Sequence, residues 1–429
     1  MPARTERRSR RGAFGRPGIV VTAMTVVMAV AIAACTGDDD AGGPTTTVAI
    51  QPTTTQAART GDGVLSIGVF LPRTGPGAQL GEPMIAAVEQ AVELINEAGG
   101  VLGDDVVIEV VDEGGGTGPE ELMVAGVDAI IGPASSNVAL SQFRATVEQG
   151  RGVVSCSPTA TALALDRFPD NGFFFRTAPS DSLQMVAIAR EAERTGRSTV
   201  AIGYLDDPYG RALADTLVDE IESRNRLEVL AEVGFSGDEE DLSGKAAALL
   251  GESPGAVIVL GDADDGSRLL AALDTGDDGV TPSQFIVNDA IRSARQIIQN
   301  LSSSFRLRLT GIAPLAVTPT AVEPEGFFTA HATDCVNLIA LAAVQAESDT
   351  PNRIRANMAS VSTGGRVCND FARCSERLAE GLQIDYNGAS GSVDLSSTTG
   401  DPVRAWFEAF GFDDEGVEDA TRSRRIEIP

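Results

Sequence analysis

Basic and aromatic side chains are scarce in this chain. It has one histidine, His331, one lysine, Lys245, one tryptophan and three tyrosines in 429 residues. A single histidine excludes catalysis that needs two and most zinc sites, and it leaves a Ser-His-Asp arrangement only one candidate base. Neither H-E-x-x-H nor G-x-S-x-G occurs, so no motif marks a metalloprotease or a hydrolase nucleophile. The run Asp262-Ala-Asp264-Asp265-Gly266 has the wrong acid spacing for a calcium loop and no Glu at the closing position. The expectation is a protein with no metal, no cofactor and no catalytic role. Positive charge is short as well. The formal net charge is −28, and it falls to −33 once residues 1–34, with six Arg and one Glu, are set aside. Nucleic-acid affinity rests on phosphate neutralisation by Lys and Arg, so nucleic acid is excluded as a partner. Scarce Trp and Tyr count against a sugar cleft, where rings stack on aromatic faces.

The first residues place the chain outside the cell. Arg4, Arg7, Arg8, Arg10, Arg11 and Arg16 precede an uncharged apolar run from Ile19 to Ala34, and Ile32-Ala33-Ala34 leads into Cys35. Charge, apolar core and small residues in this order form a secretory signal, and the run is short of the roughly 20 residues that span a bilayer. Ser9-Arg10-Arg11 hints at twin-arginine export, a pattern that Gly12-Ala13-Phe14 fits poorly. A cysteine after such a cut resembles the lipobox of bacterial lipoproteins, so residues 1–34 are expected to be the signal peptide and Cys35 the lipidated residue. Residues 35–63, with Asp38-Asp39-Asp40 and the triplets Thr45–Thr47 and Thr53–Thr55, cannot bury enough apolar area to offset ordering, and they read as a disordered tether. The expected location is the outer face of the cytoplasmic membrane.

From Gly63 onward the length suits two lobes of roughly 100–200 residues each. Apolar strands are expected at Val64–Leu71, Asp105–Val111, Asp128–Ile131, Arg151–Cys156, Thr199–Tyr204, Glu228–Val233 and Ala256–Leu260. Helical periodicity falls at Pro83–Ala98, Ser141–Glu148, Leu183–Thr195, Arg211–Arg224 and Gly266–Leu273. Near-continuous apolar strands separated by helices imply an α/β protein with parallel sheets covered on both faces. Ligands of such sheets bind outside the carboxyl ends of the strands. Three loops there are rich in Gly, Ser and Thr: Pro72–Gly77, Gly132–Asn137 and Ser157–Ala162. Each by itself is as well explained by helix capping. Three on one edge point to a carboxylate site built from hydroxyls and helix-start N–H groups.

Taken in order, I-G-V-F-L-P-R-T-G-P-G-A-Q-L-G, A-V-E-L-I-N-E-A-G-G-V-L-G, D-A-I-I-G-P-A-S-S, V-V-S-C-S-P-T-A-T-A, F-F-R-T-A-P-S-D, D-D-P-Y-G-R-A and I-D-Y-N-G-A-S-G resemble the type I periplasmic binding proteins. The match is to the branched-chain amino-acid (Leu/Ile/Val-type) substrate-binding lipoproteins of ABC importers, in actinobacterial style. The resemblance implies two Rossmann-like lobes joined by three crossovers. Residues 64–180 and 319–395 would form lobe one, residues 181–318 lobe two, and residues 396–429 a lobe-two return segment and C-terminal tail. It implies capture of a small amino-acid-like zwitterion and delivery to an ABC permease and its ATPase. A ligand-sensing receptor subunit, or a degenerate binding scaffold, is the alternative on the same fold. By the same resemblance Ser136, with Ser135 beside it, holds the ligand carboxylate. Thr159, Ala160 and Thr161 meet the carboxylate and ammonium, Tyr209 closes over the ligand, and Asp289 faces the ammonium. Leu80, Thr333 and Asp262 depart from the family at the side-chain pocket, which Arg73 also borders. A further departure is Glu113–Val127, where Gly114-Gly115-Gly116 and Gly118-Pro119 leave a helix truncated or absent and one sheet face poorly covered.

With Cys35 committed to lipid, four cysteines remain. Cys368 and Cys374 are close in sequence and are expected to form a disulfide in an exported protein. Cys156 and Cys335 are a candidate second pair, whose separation the sequence leaves open.

Overall fold

The computed structural model describes residues 61–75, 77–115, 118–143, 152–277, 279, 283–315 and 326–429. The signal segment, Cys35 and all of the tether before Gly61 lie outside the described residues. Among the described residues no helix is long and apolar enough to cross a membrane.

Two parallel sheets organise the chain. The first contains β1 (Ser66–Leu71), β2 (Val107–Asp112), β3 (Ala129–Ile131), β4 (Val154–Ser157) and β5 (Phe174–Arg176), in the order β2-β1-β3-β4-β5. The second contains β6 (Thr199–Leu205), β7 (Glu228–Phe235), β8 (Ala256–Leu260), β9 (Gln284–Val287) and β10 (Leu309–Pro314) in parallel. A small sheet, β11 (Arg366–Cys368), β12 (Ile384–Gly388) and β13 (Gly391–Ser392), follows. The chain then returns to the second sheet as an antiparallel pair, β14 (Ala405–Gly411) on β10 and β15 (Arg424–Ile428) on β14. All five residues of β8 are buried, as an unbroken apolar run in a two-sided parallel sheet should be.

The chain passes between the two sheets after β5, between β10 and the Thr329–Ala346 helix, and between β13 and β14. The core around the first sheet joins residues 65–175 to residues 332–395. Two further cores lie around the second sheet and join residues 185–313 to residues 405–428. Cys156 of β4 is bonded to Cys335 of the Thr329–Ala346 helix with the Cα atoms 5.6 Å apart, and Cys368 is bonded to Cys374 at 5.5 Å.

Several elements differ from expectation. The helix expected from Pro83 begins at Ala78, with Pro83 inside it. The preceding turn fits because Gly81 lies against Pro72, where an added Cβ would meet the Pro72 carbonyl oxygen at 1.8 Å. Of the expected Ser141–Glu148 helix the described part is residues 141–143, the end of a π turn over Ala139–Phe143 that follows a helical turn at Ser136–Val138. The helix between β2 and β3 is short but present, at Glu120–Ala125. Leu122 is fully buried there with Phe70, Val111, Val127, Ile130 and Val153, so this sheet face is covered. Gly68 makes the contact close: a Cβ on it would stand 2.7 Å from a Leu122 methyl.

Candidate ligand cleft

β1, β3 and β4 are neighbours and run in parallel, so the loops after them emerge side by side. Hydroxyl groups lace two of those loops together. Ser155 Oγ donates to Gly132 O, Ser157 Oγ to Pro133 O and Thr159 Oγ1 to Ala134 O, each at 2.6 Å. Gly132 adopts φ +118°, and a Cβ there would meet the Phe70 carbonyl oxygen at 2.0 Å, so the turn requires glycine. Ser136 Oγ accepts from the Ala162 amide at 3.3 Å. Ser135 Oγ accepts from the Val138 amide at 3.4 Å as a helix cap.

The expected carboxylate-binding loop already holds a carboxylate. Glu113 accepts from the Ala134 amide at 2.7 Å and from the Ser135 amide at 2.8 Å. Burial pushes the Glu113 carboxyl up, and these two amides oppose that shift. The Ser135 N–H is therefore committed to Glu113, while its hydroxyl, which accepts from Val138, keeps its own O–H to donate. Glu113 was not singled out by sequence reasoning. Leu80, Thr74, Ala134, Ser135 and Val138 line a cavity of about 310 Å³ with Glu113.

The second group of side chains centres on Asp181, another residue that sequence reasoning missed. Ser180 caps the Asp181–Arg194 helix, and Asp181 lies buried in its first turn. The Asp181 amide donates to Thr161 O at 2.9 Å. Its carboxyl is hydrogen-bonded to the Thr161 side chain and receives the Tyr209 hydroxyl at 3.0 Å. Asp289 stands close enough to repel it. Gln184 Nε2 donates to Asp289 Oδ1 at 2.8 Å and to Ile312 O at 3.0 Å, while its buried Oε1 has no hydrogen-bond partner among the described residues. Thr161 from the first sheet's loop and Tyr209 and Asp289 from the second sheet's edge thus meet around one carboxyl.

The electrostatics follow from that crowding. Asp181 is pushed from its ordinary 3.8 to about 7, first by burial and then by Asp289, against the hydrogen bonds from Thr161 and Tyr209 and the charge of Arg176. Burial raises Asp289 as well, opposed first by the Gln184 hydrogen bond. The Tyr209 phenol is raised by burial and by both acids, so it stays a neutral donor. A buried acid, a half-buried one and an unmet amide oxygen make a set of acceptors that suits a protonated amine.

The remaining expected residues lie elsewhere. The Arg73 side chain is exposed, and its backbone amide donates to Asp112 at 2.7 Å. Asp262 is exposed and caps the Ala263–Gly276 helix through the Asp265 amide at 2.8 Å. Thr333 is half-buried on the Thr329–Ala346 helix. His331, the one candidate base, is buried and pulled by burial from 6.5 to about 4. It is a neutral ring packed near Phe328, and its Nδ1 has no hydrogen-bond partner among the described residues. A larger cavity of about 700 Å³ lies along the Ser243–Leu250 and Ala263–Gly276 helices, bordered by Glu240, Asp241 and Arg268, and shares no lining residue with the cleft.

Two parallel α/β lobes, three passages between them and polar loops at the facing strand ends define a two-lobed solute-binding protein. Residues 64–301 match the family model described as periplasmic binding protein, and the chain belongs to that family. It is 27% identical over 364 residues to a chemotactic signal transduction system substrate-binding protein, BasB, of Halobacterium salinarum, covering 80% of this chain and 86% of that one. It is 28% identical over 277 residues to the Leu/Ile/Val-binding protein BraC3 of Rhizobium johnstonii, covering 61% of this chain and 74% of that one. Among solved structures, the branched-chain amino-acid transporter substrate-binding protein LivJ of Streptococcus pneumoniae, in complex with isoleucine, superposes with a TM-score of 0.61. That match has 18% identity and covers 85% of this chain and all of that one. Its fold is the type I periplasmic binding fold.

Proposed function

We propose that this chain is the ligand-capturing lipoprotein of an ABC importer. It takes a branched-chain or related amino acid between its lobes and presents it to the permease and ATPase subunits. It performs no chemistry. Residues 1–34 serve as signal peptide, Cys35 carries the lipid and residues 35–63 are the tether. Residues 64–180 with 319–395 form lobe one, and residues 181–318 with 396–429 form lobe two. The observation that carries this reading is the Asp181 cluster, where Thr161, Tyr209 and Asp289 converge on a buried carboxyl that has no directly bonded cation among the described residues. A ligand ammonium supplies that charge. Ser136, with Ser135 beside it, holds the ligand carboxylate, Thr159, Ala160 and Thr161 meet the carboxylate and the ammonium, and Leu80, Thr333, Arg73 and Asp262 border the ligand side chain.

Titration calorimetry of the purified protein with leucine, isoleucine, valine and their amides tests this. Binding of an amino acid, lost in the Ser136→Ala, Thr161→Ala double variant while the unfolding midpoint is kept, is the expected result. A folded protein that binds none of them overturns it and leaves a binding scaffold that has lost its site. The similarity to a chemotaxis substrate-binding protein over 80% of this chain favours one second reading, a sensor that hands its closed form to a receptor. Uptake of labelled ligand that survives deletion of this chain's gene, with loss of a ligand response, would select it.

A further inference from the structure

Arg176 ends β5 and is fully buried, and the site described above uses it only as a distant charge. Its guanidinium has a partner in every direction. Nε donates to Asp401 Oδ1 and Nη2 to Asp166 Oδ1, both at 2.7 Å. Nη1 donates to the carbonyls of Ala160 and Ala162, both at 3.3 Å. The Arg176 amide donates to Gly400 O at 3.1 Å. Asp166 Oδ1 also accepts from Ser180 Oγ at 2.6 Å, and Ser180 caps the helix that carries Asp181.

The Thr159–Ala162 loop and the third passage at 396–402 therefore meet on this side chain, and Asp166 links it to Ser180 at the end of the first passage, 177–180. We propose that Arg176 is a positioning residue that locks the Thr159–Ala162 loop to the first and third passages, so that rotation of the lobes and orientation of the loop are one coupled movement. The role of that loop in holding ligand rests on the function proposed above. The coupling itself does not.

The chemistry singles out arginine. A guanidinium presents five N–H groups in a rigid plane, so the directions to Asp166, Asp401 and the two carbonyls are fixed relative to one another. An ammonium carries the same charge on a flexible stem with three donors, so it can neutralise one acid without fixing the others. A buried charge of this kind is costly unless paired, and Arg176 is paired with Asp166 in the first lobe and with Asp401 in the third passage. A plain structural ion pair would stabilise the fold without linking two remote segments.

Hydrogen–deuterium exchange on the full chain separates these cases, with wild type compared with Arg176→Lys and Asp401→Asn. Exchange in 159–162 is expected to rise about tenfold in both variants, together with 177–181 and 395–402, while β1 and β8 keep their protection. Asp401→Asn is the decisive variant, because it changes the third passage and is read in a loop more than two hundred residues earlier. If it leaves 159–162 at wild-type exchange, or if exchange rises uniformly through both lobes, the proposal is overturned. Calorimetry with isoleucine forms the second arm, and weaker binding by both variants is expected. Absence of binding by the wild type would refute the ligand reading, while the exchange arm would still decide the coupling.

Discussion

Asp181 makes the stability of this protein fall as pH rises, the reverse of an ordinary salt-bridged carboxylate. Its folded-state value is about 7 against an ordinary 3.8. Between those values the folded state binds the proton more tightly than the unfolded chain, so raising the pH favours unfolding. The contribution is flat below about pH 4, declines by about 1.4 kcal/mol for each pH unit in between, and levels off above about pH 7. The full range is on the order of 4 kcal/mol. Asp181→Asn replaces the protonated acid by a neutral amide of the same shape, which keeps one oxygen for Tyr209 or Thr161. Wild type and variant are therefore expected to unfold at similar midpoints at pH 4.5. By pH 8 the variant should lead by several degrees, at about 2–4 °C per kcal/mol for a lobe of this size. Thermal unfolding followed by circular dichroism from pH 4.5 to 8 checks this, and the difference between the two proteins cancels the titrating groups that do not interact with Asp181. A difference that does not change with pH would refute the reasoning. Ligand binding is expected to run the other way: an ammonium beside Asp181 expels its proton, so affinity should rise from pH 5.5 to 8.

Three further outcomes are expected. His331, pulled to about 4 by burial, works in the other direction: the unfolded chain binds the proton more tightly between about 4 and 6.5, so stability drops by about 3 kcal/mol as pH falls through that window. His331→Leu should remove that part of the acid sensitivity in a urea titration at pH 4.5 and pH 7. Leu122→Ala should cost about 2–3 kcal/mol in chemical denaturation, because it empties the centre of the small cluster under the Glu120–Ala125 helix. Opening the Cys156–Cys335 bond, with a sequence separation of 179, should cost about 3–5 kcal/mol by Cys→Ser substitution, against roughly 2 kcal/mol for Cys368–Cys374, with a separation of 6. The reverse ranking in guanidinium midpoints would count against a chain-entropy origin.

The structure leaves the cleft with an unusual charge balance. Glu113 occupies two amides of the loop expected to meet a ligand carboxylate, and the Asp181–Asp289 pair waits for a cation.

The α/β class was legible in the sequence because it rests on period and composition. The run Ala256–Leu260 is apolar without a break, and only a strand covered on both faces buries all of it. The polar loops after β1, β3 and β4 were legible for the same local reason, since Gly, Ser and Thr cluster where a strand gives way to a turn. Element ends were less legible. The first helix starts five residues before its periodic pattern because Gly77 and Gly81 allow a close approach to Pro72, a contact that no local pattern records. Asp181, Glu113 and Arg176 were invisible as functional residues. Asp181 reads locally as a helix-start acid, Glu113 as part of a glycine-rich turn and Arg176 as the polar end of a strand. Their meaning depends on groups brought from 10 to 225 positions away, and on burial that raises the cost of each unpaired charge. Period, propensity and composition act between near neighbours, so the sequence alone determined what kind of elements form and in what order. Hydrogen bonding and charge act through space, so only the tertiary structure decided that Asp181 and Asp289 stand together and that Asp166, Asp401 and the carbonyls of Ala160 and Ala162 meet at Arg176.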